Sequence, residues 1–219
     1  MALNPTRLTP MFSLYSPGRS DSFYTTSPQM ASAALAGTLL PMAPTGTDRS
    51  YGTQYGTSIA SYPSFPGGFA VAPLTATPRA EFWLFTTHVN PKSSTVELQP
   101  LYRMSWVCGD ATPYPPAVCG YTPAHGDTTY VLEAEIAYHE WLGYRVDGIE
   151  GYVYPKTMVQ PAGTDYLIRL YNPTRDDHAI FPYSKLSAML SAGYNVTTNG
   201  INFLGWVYPN VDGSRPAIQ

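Results

Sequence analysis

Apolar positions along this chain come in short bursts that alternate with polar ones, and the bursts recur in one order. Met11-Phe12-Ser13-Leu14-Tyr15, Leu101-Tyr102-Arg103-Met104-Ser105 and Leu167-Ile168-Arg169-Leu170-Tyr171 each read as a strand. A turn ending in aspartate follows the first (Ser16 to Asp21) and the third (Asn172 to Asp177), and a longer loop ending at Asp127 follows the second. Aspartate there suits side-chain capping of the turn backbone. Second strands come next, from Ser22, Thr128 and His178 onward, then helical stretches over Pro28 to Ala36, Glu133 to Leu142 and Tyr183 to Ser191. Gly143 and Gly193 read as helix stops. Each round closes on further strand, at Glu81 to Thr87, Gly148 to Pro155 and Gly200 to Pro209.

Three such motifs cannot each bury an apolar face alone, but arranged around a common axis they can close a ring without exposed sheet edges. The expected fold is mainly β, a β-trefoil-like single domain over 1–219 with pseudo-threefold repeats and short helices. A β-sandwich with long loops is the alternative. The repeat units span about 8–98, 99–164 and 165–209, the last closing onto the N-terminus. Residues 41–79 read as an insertion, whose Tyr51, Phe65 and Phe69 predict that it packs down.

Composition agrees with a turn-rich β chain. Of 219 residues 18 are glycine and 22 proline, aromatics reach 14%, and only 12% are charged. Disordered chains lack aromatics and carry high net charge, so disorder is excluded. The formal net charge is -3 and no basic stripe exists, which disfavours nucleic acid and anionic membrane as partners. No apolar run approaches the roughly 18–20 residues that span a bilayer, so no membrane insertion is expected. The start MALNPTRLTPMF lacks a secretory pattern, which places the protein in the cytoplasm, or outside the cell without a recognisable signal in this chain. Cys108 and Cys119 flank a proline-rich loop. They read as two buried thiols or as a disulfide, and a zinc site lacks two further ligands. Asn195-Val196-Thr197 matches a glycosylation acceptor, which carries no meaning without a secretory route.

The third motif, Ile168-Arg169-Leu170-Tyr171-Asn172-Pro173 with Asp176-Asp177-His178, together with Phe23-Tyr24-Thr25-Thr26 and Asp147-Gly148-Ile149-Glu150-Gly151-Tyr152-Val153-Tyr154, resembles a bacterial and fungal repeat family of unknown function. Its consensus runs near YRLYNP, GDHFYTT, EGI and YVY. The resemblance covers about two thirds of the chain and implies an adhesion or sugar-binding module, attached to secreted hydrolases or standing alone. The family's histidine after aspartate is present as His178, with Ser22 and Thr128 in its place elsewhere. If that histidine carries binding, two of three sites are altered.

The chemistry legible in the residues favours recognition over catalysis. There is no nucleophile elbow, no phosphate-cradling glycine loop and no HExxH metal pattern; neither cofactor nor metal is expected. A sugar site asks for an aromatic plate and for hydroxyl-bonding polar groups between loops. The candidate ligand-binding residues are Asp21, Tyr24, Trp106, Asp127, Tyr130, Asn172, Asp177 and His178. Trp106 is expected to show an open face, whereas Trp83, Trp141 and Trp206 are expected to pack. The resulting expectation is a non-enzymatic, lectin-like defence protein with glycans or glycoproteins as partners, either alone or as a homo-oligomer. A loop-based protease inhibitor using the proline-rich loops is the alternative, and a glycan-acting hydrolase with paired carboxylates a further one.

Overall fold

The computed structural model describes residues 8–16, 21–31, 80–90, 96–107, 126–196 and 201–210, with Tyr15, Ser16, Asp21, Val107 and Gly126 as backbone. The 41–79 insertion, the Cys108–Cys119 pair and Thr197 of the glycosylation-type tripeptide lie outside them. Nine strands are present among the described residues: β1 (Leu8–Ser16), β2 (Asp21–Thr25), β3 (Ala80–Phe85), β4 (Gln99–Val107), β5 (Gly126–Leu132), β6 (Arg145–Val153), β7 (Asp165–Asn172), β8 (Asp177–Pro182) and β9 (Asn202–Pro209). Helix α1 (Ile136–Trp141) and helix α2 (Leu186–Ser191) each follow a 3-10 turn, at Glu133–Glu135 and Tyr183–Lys185. The protein is mainly β, and every strand pairing is antiparallel.

Each strand pattern read from the sequence pairs in the same way. The hairpins β1–β2, β4–β5 and β7–β8 place Ser16 opposite Asp21, Trp106 opposite Asp127 and Asn172 opposite Asp177. The last strand of each motif lies on the other side of its first strand, as β1–β3, β4–β6 and β7–β9. All three pairings share a register shift at an equivalent place, between Met11 and Phe12, Leu101 and Tyr102, and Leu167 and Ile168. The extra residue of each bulge is Glu81, Glu150 or Leu204. A bulge re-aims a side chain, and these three are turned inward.

The last strands also meet one another. β3 pairs β6 at Phe85–Tyr152 and β9 at Phe82–Pro209, and Tyr154, just past β6, bridges Trp206. Their closest approach leaves no room for a side chain: a Cβ on Gly205 would collide with Tyr154 O and lie 2.6 Å from Val153 Cγ2. One aromatic from each last-strand region then stands at the meeting point. Phe85, Tyr154 and Tyr208 are mutually edge-on, with centroids 4.8, 6.1 and 6.4 Å apart. Such edge-to-face pairs each add about 0.5–1.5 kcal/mol to the burial of the rings. The larger core includes Met11, Phe82, Leu101, Leu167, Ile180 and Leu204, drawn from all three motifs.

Candidate functional site

At the opposite ends of the motifs the second strands β2, β5 and β8 lie side by side without pairing as a sheet. Their edge N–H and C=O groups are buried and need partners, because an unpaired buried backbone group costs as much as a lost hydrogen bond. Side chains from the neighbouring motif supply them. Asp127 accepts His178 N–H at 3.0 Å and His178 Nδ1–H at 2.6 Å. Asp177 accepts Ser22 N–H at 2.6 Å and Ser22 Oγ–H at 3.0 Å. The Tyr130 hydroxyl accepts Tyr24 N–H at 2.6 Å and donates to Tyr24 O. In β8 the position of Tyr24 and Tyr130 is held by Ile180, which has no hydroxyl, and Arg169 Nη1 reaches Tyr130 O instead, at 2.7 Å.

Local sequence sets up these clasps. Gly143 and Gly193 take left-handed φ values of 93° and 92° after α1 and α2. Tyr144 N–H then bonds His139 O and Tyr194 N–H bonds Met189 O, the six-to-one closure of a glycine-terminated helix. That turn drops Tyr144 onto Asp127 and Tyr194 onto Asp177, where each hydroxyl donates to the carboxylate. Asn172 organises the preceding turn by accepting Thr174 and Arg175 N–H at 3.1 and 3.2 Å. Burial alone would raise the pKa of Asp127, but the His178 charge and the bonds from His178 and Tyr144 outweigh it and hold the carboxyl below its ordinary value.

Two buried arginines extend the network. Arg103 donates Nε–H to Asp147 at 3.1 Å and Nη1–H to Glu150, and its guanidinium lies 5.2 Å from the Phe23 ring centre. Glu150 in turn accepts Thr26 N–H at 2.8 Å, joining the second motif to the first. Arg169 Nη2 donates to Glu135 at 2.8 Å. His139, packed beside Tyr144, donates Nδ1–H to Glu135 O at 3.0 Å. Burial pushes its pKa down, and the charges of Arg169 and His178 act the same way against the Glu135 contacts. Glu81 and Lys185 form a further bridge between the first and third motifs, and burial raises the Glu81 carboxyl despite the cation.

The structure therefore brings most of the sequence-predicted residues together, in a place other than the one expected. Tyr24, Asp127, Tyr130, Asn172 and Asp177 are buried, and His178 keeps a partly exposed ring against Tyr171. Apart from Asn172, which holds the turn of its own motif, they join motifs to one another, because the edge backbone of three converging strands has to be satisfied. Trp106, expected to offer an open face, is 8% exposed, since it sits opposite the buried Asp127 in the hairpin register. The Asp21 side chain lies outside the described residues. Among those residues, no group of three His, Cys, Asp or Glu is placed to hold a metal ion, and no helix is long and apolar enough to cross a membrane.

The open aromatic surface lies on α1. Trp141, expected to pack, is 67% exposed, and Tyr138 is 60% exposed. Their rings are nearly parallel, 28° apart, with centroids separated by 6.2 Å. His139 takes the inward position between them. The matching helix of the third motif needs no such rings. Aligned on Gly143 and Gly193, inward His139 corresponds to buried Met189, while Tyr138 and Trp141 correspond to Ala188 and Ser191. Packing thus explains the inward residue of each helix, whereas Tyr138 and Trp141 remain largely exposed.

No family model, curated protein or solved structure matches this chain.

Lowering the pH tests the clasp at Asp127. Its folded-state pKa is depressed, so its contribution to stability is fully present above the unfolded value of about 3.9 and is lost as pH falls through the folded one. Urea midpoints of the wild type should fall as the pH drops below about 4, and those of Asp127→Asn should fall less steeply there. Parallel pH profiles for the two proteins would show that the Asp127 contacts do not contribute.

Proposed function

We propose that the chain is a non-enzymatic, lectin-like recognition module, a β-trefoil-like ring of three motifs about a pseudo-threefold axis, which binds glycans on the outer face of α1. The ring is supported by the recurrent bulge, by the meeting of all three last strands and by clasps that run from β8 to β5 and from β2 to β8. The observation that carries the binding reading is the pair of exposed, nearly parallel aromatics on α1, absent from the corresponding helix. An exposed aromatic ring offers its π face to the C–H groups of a pyranose, and this stacking needs no pre-formed cavity. Enzymatic chemistry is the weaker reading because Asp127 and Asp177, the carboxylates at the turn ends, are buried and engaged with neighbouring motifs.

Tryptophan fluorescence titrations with ligands chosen from a glycan array test this reading. Trp141→Ala should weaken binding about 30-fold, the equivalent of a contact worth about 2 kcal/mol. The same change at an exposed helix position should leave stability within about 0.5 kcal/mol of wild type. An array without signal at high protein concentration, or wild-type affinity in Trp141→Ala, overturns the assignment.

A further inference from the structure

Helix α1 is anchored by a residue that can take up a proton. Its six residues are far fewer than the roughly 12–15 that persist as an isolated helix, so tertiary packing has to hold it in place. His139 is its buried residue, 5% exposed, and lies edge-on to Tyr138 at 5.4 Å and to Tyr144 at 5.6 Å. The Nδ1–H donates to Glu135 O, so a second proton goes to Nε2, for which no described residue supplies an acceptor. The same inward position of α2 is filled by Met189, which cannot titrate.

We propose that α1 is a pH-released helix: protonation of His139 detaches it from the strands, while α2 stays docked. The groups around the imidazole set the direction. Burial pushes its pKa below the ordinary value, the Glu135 contacts oppose that shift, and the charges of Arg169 in β7 and His178 in β8 reinforce it. The Glu135 carboxylate is already engaged by Arg169. Tyr144 is committed to Asp127 of β5, which His178 also engages. In β6, which packs against α1, Arg145 is half-buried and Asp147 is taken by Arg103 and Ser105. Glu133 and Glu140 stand exposed. Each buried carboxylate nearby thus has a partner before His139 becomes a cation. Once α1 is loose, His139 titrates at the ordinary value of about 6.5. Release is therefore independent of pH above about 6.5 and is favoured as pH falls from there to the depressed value of the docked helix.

Amide hydrogen exchange of the full chain, corrected for the intrinsic pH dependence of exchange, tests this from about pH 7.5 to about pH 5, above the range in which Asp127 acts. The reporters are the Leu142 and Tyr144 amides, bonded to Tyr138 O and His139 O, and the Ala192 and Tyr194 amides at the end of α2. The opening constant at the α1 reporters should rise by up to about tenfold per pH unit below pH 6.5 and level off below the docked value. The α2 reporters should hold steady, and His139→Met should flatten the α1 profile. Equal α1 protection at both ends of the range overturns the proposal, as does an unchanged slope in His139→Met. Parallel loss at α1 and α2 overturns it too, because the whole domain would then be responding. The wild-type His139 imidazole resonance gives a reading that needs no variant, and a titration at or above about pH 6.5 would refute the device. Release of α1 would also withdraw Tyr138 and Trp141 from the glycan face proposed above, but exchange reports on the helix without any ligand.

Discussion

Asp177→Ala should cost the protein about 4 kcal/mol, a large share of the about 5–15 kcal/mol that holds a typical domain together. The Asp177 carboxylate is completely buried and accepts from Ser22 N–H, Ser22 Oγ–H and the Tyr194 hydroxyl. Removing it leaves a β2 edge amide without an acceptor, and each unsatisfied buried donor costs about 1–3 kcal/mol. The two hydroxyls partly recover by bonding each other, since they already stand 3.1 Å apart. Asp177→Asn should cost about half as much, because the amide oxygen can serve Ser22 N–H while its NH2 faces other donors. Urea denaturation of the three proteins measures both steps. Midpoints equal to wild type would remove the clasp from the account of how the first and third motifs are held together.

The second large effect is expected at Arg103, where Arg103→Leu should destabilise by about 3–5 kcal/mol. The arginine and its two partners are all buried, with side-chain exposures of 7%, 4% and 8% for Arg103, Asp147 and Glu150. Deleting one member of such a group leaves uncompensated buried charge, which is where the cost arises. Leucine keeps an apolar stem against Phe23, so loss of packing contributes little. The triple variant Arg103→Leu/Asp147→Asn/Glu150→Gln should recover much of the stability, because no net charge then remains inside. Failure of the triple variant to exceed the single one in thermal midpoint would show that the ions act through geometry rather than through charge balance.

The strands were largely legible. Met11 to Tyr15, Leu101 to Ser105 and Leu167 to Tyr171 read as strands, and each lies in the middle strand of its motif; the sequence did not show that Leu167 to Leu170 and Arg103 to Ser105 are buried in succession. Helix stops at Gly143 and Gly193 were legible for a local reason, since a left-handed residue after a helix favours glycine. The roles of Asp127 and Asp177 were half legible. Their recurrence at turn ends pointed to backbone capping, but the backbone they cap belongs to the next motif, dozens of residues away. Trp106 and Trp141 depart from the sequence expectation in opposite directions, the first buried and the second exposed. Trp106 faces inward by its hairpin register, and Trp141 faces outward because Schellman-type closure of α1 turns His139 and Tyr144 to the interior.

By itself the amino-acid order determined what nearest neighbours decide: where strands lie, turn chemistry, and the ends of the helices before Gly143 and Gly193. Those properties follow from backbone preferences and from the spacing of apolar side chains, both local. Tertiary structure alone decided which polar residues are interior. Glu81 and Glu150 look like surface residues in the sequence, and only the bulge opposite Met11–Phe12 and Leu101–Tyr102 turns them toward Lys185 and Arg103. Burial of a charge is decided by whether a partner arrives from elsewhere in the chain, and no local pattern records that arrival.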